Sequence, residues 1–207
     1  MKRDLTCHCG HSIEVDFPEE IDISAEPETV DEILRGTFMS VTCDSCKSDI
    51  KPEFTVRITD SSGALDITFL PELERLRYLS GKMEIESGRV AIGFAELREK
   101  MLMYRESLDD RAIEILKFLL LEKLEDPDEA IITLVDVEKD GDASEGQLVF
   151  HIEGVKEQEI GVTKMPMRMY DRVYGSLEER LEEEPFNSFA GGQYVSINKI
   201  SIEDEEP

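Results

Sequence analysis

Hydrophobic and polar positions change period several times along this chain, and each change marks an element. Ile13, Val15 and Phe17 alternate with polar residues and predict a half-buried strand ended by Pro18. In PETVDEILRGT, Val30, Ile33 and Leu34 share one face at helical spacing. Acidic residues fill the first turn of this predicted short helix, and Gly36 supplies its stop. FMSVT returns as a strand over Phe38–Thr42. Phe54, Val56 and Ile58 alternate next, TDSSGA turns the chain, and Leu65, Ile67 and Phe69 alternate again. Pro71 opens a short helical turn through Leu79 that Gly81 closes.

The middle of the chain is helical. FAELREKMLMYRE predicts one helix and SLDDRAIEILKFLLLEKLED a second. Ile113, Leu116, Leu120 and Leu124 recur at spacings of three and four and give the second a strong buried face. Ser107 is its expected cap, with Asp109 and Asp110 in the first turn where the helix dipole favours negative charge. EDPDEA is a linker. From Ala130 the period becomes two: IITLVDVE and GQLVFHIEG flank KDGDASE as a hairpin, and QEIGVTK follows as a third strand. MYDRVYGSLEERLEEEP is an amphipathic helix with Tyr170, Val173, Tyr174, Leu177 and Leu181 inward, and GGQYVSINKISIE closes the chain as a strand. The pattern is α+β: an N-terminal β unit elaborated by helices over residues 1–126, then a smaller α+β unit over 127–207. No internal repeat is present.

Composition narrows the partners. The 207 residues carry a formal charge of −25, spread along the chain rather than held in one tail. So acidic a surface repels phosphate backbones and anionic lipid, which argues against nucleic acid and membrane and in favour of a protein with a basic face or a cation. The longest apolar stretch, AIEILKFLLLEKL, is interrupted by Glu114 and Lys117 and is too short to span a bilayer. MKRDLTCHCG has a basic start but no apolar segment of a secretion signal, so a cytoplasmic protein with reduced thiols is expected.

Within that compartment the four cysteines are the main chemistry. They form two close pairs, TCHCGH and VTCDSCKSD. Two such knuckles supply the four thiolates that a tetrahedral structural zinc site needs. The expected Zn2+ ligands are Cys7, Cys9, Cys43 and Cys46, with His8 and His11 as alternative donors. Gly10 follows the first pair, where glycine lets backbone N–H groups turn toward sulfur, and Lys47 follows the second. A thioredoxin-like dithiol would need a helix after Cys46, and KSDIKPEFTVRI continues instead as extended chain. Four protein ligands leave no open position for substrate, so the role expected of the metal is structural.

These residues, with the approach EILRGTFMSVTC and the later run RVAIGFAELREKMLMYRESLDDRAIEILKF, resemble the CpXC domain, a bacterial and archaeal family named for its Cys-Pro-x-Cys-like pairs. The resemblance covers about residues 1–125. His8 and Asp44 stand where the family has proline, the first pair is one residue short, and Lys47 replaces a glycine. It implies a zinc-ribbon-like metal domain, no assigned activity and no catalytic residues.

Other candidates are weaker. Asp136, Glu138, Asp140 and Gly141 approach a calcium loop, but Gln147 stands where a bidentate glutamate belongs, and a hairpin turn explains the same residues. Asp109, Asp110 and Glu114 suit a helix start and face no second acidic cluster in sequence. His151 has no serine or cysteine partner and falls on the polar side of a strand. In MPMRMYDRVYGSLEERL, Met167, Met169 and Arg172 belong to a mix favoured at adaptable contacts, which suits a protein partner or a second copy of the chain. The expected function is therefore non-enzymatic: a zinc-stabilised protein-interaction module. The runner-up is a thiol-based redox or zinc sensor that releases its metal on oxidation.

Overall fold

A computed structural model describes residues 2–125, 127–139, 146–155 and 159–199. Packing divides the chain into two compact units, Met1–Met101 and Leu102–Pro207. The architecture is α+β.

The first unit opens with a hairpin of β1 (Lys2–Thr6) and β2 (Ser12–Asp16), paired from Lys2↔Asp16 to Thr6↔Ser12. At its base Phe17 meets Phe54 at 5.7 Å, and the Arg3 guanidinium lies 4.2 Å over the Phe54 ring. After β3 (Glu20–Asp22), α1 (Glu28–Arg35) ends as its sequence requires: Gly36 takes φ +76° and returns its N–H to the Ile33 carbonyl. The strand expected over Phe38–Thr42 shrinks to β4 (Val41–Thr42), because Met39 adopts φ +58° and buries its side chain in a turn. β4 pairs with β5 (Asp49–Ile50) in a second short hairpin.

β6 (Val56–Thr59), β7 (Asp66–Leu70) and β8 (Arg89–Ile92) complete a four-stranded sheet in the order β3-β6-β7-β8. The two outer pairings are parallel and the central one antiparallel. Val56, Ile58 and Phe69 are fully buried on one face, where branched and aromatic residues suit a pleated surface. Between β7 and β8 come a single 3-10 turn, Glu72–Glu74, and α2 (Arg75–Leu79), the helical turn that Pro71 announced. Arg75 ties this connection down: it reaches Glu72, the Glu96 carboxylate at 2.9 Å and the Ile92 carbonyl at 3.1 Å. α3 (Gly93–Arg105) then carries Leu97 and Met101 into the core.

The second unit is built on α4 (Asp110–Leu121) and a three-stranded antiparallel sheet of β9 (Ile131–Glu138), β10 (Gln147–Glu153) and β11 (Gly161–Pro166). Order β11-β10-β9 makes the hairpin strand β10 central, with a bulge at Val149/Phe150. The KDGDASE turn lies largely outside the described residues. Ser107 does not cap α4. It sits at φ +56°, ending α3 with its N–H on the Tyr104 carbonyl, while Asp109 caps α4 by accepting the Arg111 N–H at 2.9 Å. The amphipathic helix expected from Met169 begins two residues earlier and divides, into α5 (Met167–Gly175) and α6 (Leu177–Arg180) about Ser176.

α7 (Phe186–Ala190) follows, and its Phe189 stacks on Phe118 at 5.4 Å. The expected closing strand is instead an irregular segment ending in a 3-10 turn, Ile197–Lys199, and residues 200–203 lie outside the description. A buried ion pair explains why: Glu114 binds Lys117 at 2.8 Å with one oxygen and accepts the Ile197 N–H at 2.8 Å with the other. That bond takes a backbone donor a sheet would have used. No helix among the described residues is long and apolar enough to cross a membrane.

Candidate metal centre

Each cysteine pair sits in the loop of a hairpin. In the first, β1 and β2 hold Cys7 to His11 as a five-residue loop, in which the Cys7 N–H donates to the His11 carbonyl at 2.9 Å. The Gly10 N–H turns back onto the Cys7 carbonyl at 2.8 Å, which needs the φ of +85° that glycine adopts freely. The second loop repeats this plan. Cys43 N–H donates to Ser48 O at 2.9 Å, and Lys47 N–H returns to Cys43 O at 2.9 Å. Lys47 reaches the turn at φ +62°, so a lysine occupies the left-handed position a glycine would fill without strain. Thr42 Oγ1 to Asp49 Oδ1, at 2.8 Å, straps the second hairpin just below its loop.

Facing each other, the two loops bring four sulfurs together. Cys7 Sγ lies 3.5 Å from Cys46 Sγ, and Cys9 Sγ lies 3.8 Å from Cys43 Sγ. All four are within 4.8 Å of one another. Metal–sulfur bonds of about 2.3 Å in a tetrahedron set sulfurs about 3.8 Å apart, so the cluster has the dimensions of a four-thiolate metal site. The shortened spacing of the first pair is accommodated by the tight Cys7–Gly10 turn. Neither histidine joins the sulfur group: His8 Nδ1 is 3.6 Å from Cys7 Sγ, and both imidazoles lie on exposed residues.

The four thiols are not equivalent. Cys7 and Cys43 are buried, whereas Cys9 and Cys46 are exposed. Against the downward pull of the Cys9 backbone N–H, burial and the neighbouring thiols push Cys7 up to about 12. The Ser48 hydroxyl and backbone N–H bring Cys46 down to about 6. Ser48 Oγ lies 3.3 Å from the Cys46 sulfur, a second-layer contact that the sequence does not flag because any residue at that place in the loop could have faced solvent.

The remaining candidates stay apart. Asp109 is spent on capping α4 and on Arg111, and Glu114 is held by Lys117 and Ile197, so the acidic helix start is structural. His151 pairs across the sheet with Val162 and Thr133, not with a nucleophile. Asp140 and Gly141 of the calcium-like loop lie outside the described residues. In the methionine-rich segment Met165, Tyr170 and Val173 are core, while Met169 and Tyr174 are exposed.

A helix-elaborated β unit whose two hairpin loops converge four cysteines defines a class: small domains with a closed thiolate site. Residues 5–117, more than half of the chain, match the family model of the CpXC protein, and the chain belongs to the CpXC family. A protein of Treponema pallidum (strain Nichols), described only as "Uncharacterized protein", is 25% identical over 213 aligned residues, which cover 95% of this chain and 97% of that protein. No solved structure matches.

Proposed function

We propose that Cys7, Cys9, Cys43 and Cys46 bind one Zn2+ ion as a structural site, and that the protein is a non-enzymatic module that recognises a protein partner. The spacing of the four sulfurs carries the metal reading. They come from two facing loops whose backbone turns inward, and a full set of four thiolates leaves no position for substrate water. Bound there, the metal would hold the β1–β2 and β4–β5 hairpins together, which have few residues of their own to bury. The partner reading is supported by the acidity of the chain, which favours a basic protein surface. Metal analysis of protein purified without added metal is expected to give one zinc per chain, and Cys43→Ser to abolish it. Iron in that position, or no metal at all, would overturn the zinc assignment.

The exposure of Cys9 and Cys46 favours a second reading, a redox-responsive zinc site. Hydrogen peroxide would oxidise two thiolates to a disulfide, be reduced to two hydroxide ions, and free the metal. Zinc release on mild peroxide treatment, reversed by a thiol reductant, distinguishes this from a purely structural site.

A further inference from the structure

The two larger sheets treat their second faces differently. In the four-stranded sheet the register follows the ordinary alternation of a half-covered sheet. Ile21, Ile58 and Ile67 form one buried row, and the next row, Glu20, Arg57 and Thr68, turns polar side chains to the other face. The three-stranded sheet begins the same way. Ile132, Leu134, Leu148 and Phe150 share one face and are buried, and α4 and α5 pack against β9 and β11.

Its opposite face breaks the alternation at one end. Register sets Val162 on β11 beside His151 on β10, which lies beside Thr133 on β9, and sets Ile131 beside Glu153. Ile160 stands two positions before Val162, and Val155 follows Gly154 out of β10. Exposure is 61% for Val162, 57% for Ile160, 54% for Ile131 and 37% for Val155. Gly154 holds this end together. At φ +86°, a Cβ there would fall 1.9 Å from the Glu129 carbonyl oxygen, so the chain leaving β10 touches the chain entering β9. Four of the eight large apolar side chains exposed among the described residues thus gather at one end of one small sheet. Scattered apolar residues are ordinary on a surface, but a cluster where alternation calls for polar ones marks a contact face.

Charge selects what covers it. Glu153 sits beside Ile131, and Asp128 and Glu129 lead into β9. All three are exposed, and none is in an ion pair among the described residues. Lys164, two residues beyond Val162, is already bound to Glu138 at 2.6 Å. A second copy of the chain would set these carboxylates against their own kind, on two molecules of −25 each. A basic partner with apolar side chains answers both features.

We propose that this face docks an extended segment of another protein, in which a lysine or arginine has a branched apolar residue two positions away on either side. Alternate residues of a strand share a face, so that spacing presents the cation and both apolar groups together. The apolar groups cover Ile131, Ile160 and Val162, and the cation meets Glu153. The inference rests on the reading of this protein as an interaction module and gives the module a place.

The test follows amide chemical shifts of the full-length protein as the blocked peptide Ile-Ser-Lys-Ser-Ile is added. A saturable change confined to residues around 131–133, 151–155 and 160–162 is expected. Val162→Thr and Ile131→Thr should each weaken binding about fivefold, and Glu153→Gln about threefold. Threonine suits a strand, and Glu153→Gln carries the test alone if either variant unfolds. Leu73→Thr removes a more exposed apolar side chain from the other unit and should change nothing. Peptides with glutamate for the lysine, or with serine for both isoleucines, should bind at least fivefold more weakly. Equal binding of the serine peptide, or equal weakening by Leu73→Thr, would overturn the proposal. So would a wild-type dimer in sedimentation that Val162→Thr dissociates, since the face would then belong to a second copy. Saturable binding that maps elsewhere overturns this site and leaves the partner reading standing, whereas no binding of either lysine peptide overturns both.

Discussion

Lys47 stands at φ +62° in a turn whose counterpart in the first loop is Gly10 at φ +85°. A side chain in left-handed backbone costs about 1 kcal/mol, so Lys47→Gly is expected to stabilise the metal-loaded protein by about that amount in denaturant unfolding. Loss of stability would mean that the lysine side chain makes a contact worth more than its strain. The thiols give a second prediction at this scale. In the metal-free protein at pH 7, Cys46, brought down to about 6 and exposed, is mostly thiolate, whereas Cys7, raised to about 12 and buried, is thiol. Only the thiolate attacks an alkylating agent. Iodoacetamide followed by peptide mass mapping should label Cys46 first and Cys7 last. The preference for Cys46 should fade as pH falls below about 6, where its proton returns.

At the scale of elements, the junction between α3 and α4 shows what a pattern can miss. Ser107 is a good cap by residue type, and Asp109 and Asp110 are good first-turn residues, so composition alone places the cap two positions early. The structure spends Ser107 on closing α3 and gives the cap to Asp109, whose N–H is held by Tyr170 Oη at 2.8 Å. Asp109→Ala should therefore cost about 1 kcal/mol in thermal unfolding. Ser107→Gly should be neutral or stabilising, since glycine accepts φ +56°. The opposite ranking would restore Ser107 as the cap. The strands β6 and β7 and the helices α1 and α4 were legible because each alternates or recurs over its own length. β1, β3 and β8 were not: pairing rather than their own period makes them strands, β1 with the adjacent β2 and β3 and β8 with partners more remote in sequence.

For the molecule as a whole, a charge of −25 opposes its own compactness. Raising salt from about 0.1 M to about 1 M shortens the screening length from about 10 Å to about 3 Å, so the melting temperature should rise. A flat or falling curve would show that paired charges such as Arg57–Asp66 and Arg75–Glu96 outweigh the repulsion. The two compact units do not coincide with the family match, which ends at residue 117 inside α4. Sequence similarity records which segments were kept together. Packing records which side chains share a core, and α4 turns its apolar face to β9, α5 and α7.

The chain by itself determined the α+β character, the two cysteine pairs as halves of one site and the family, because these rest on local period and spacing. TCHCGH and TCDSC each specify a tight loop from residues a few positions apart. Only the tertiary structure decided that all four sulfurs converge while the histidines stay aside, that Ser48 tunes Cys46, and that Glu20, Arg57 and Thr68 share one row. Those facts depend on how hairpins face and how strands align. A one-residue slip in register would turn each of those side chains to the opposite face of the sheet.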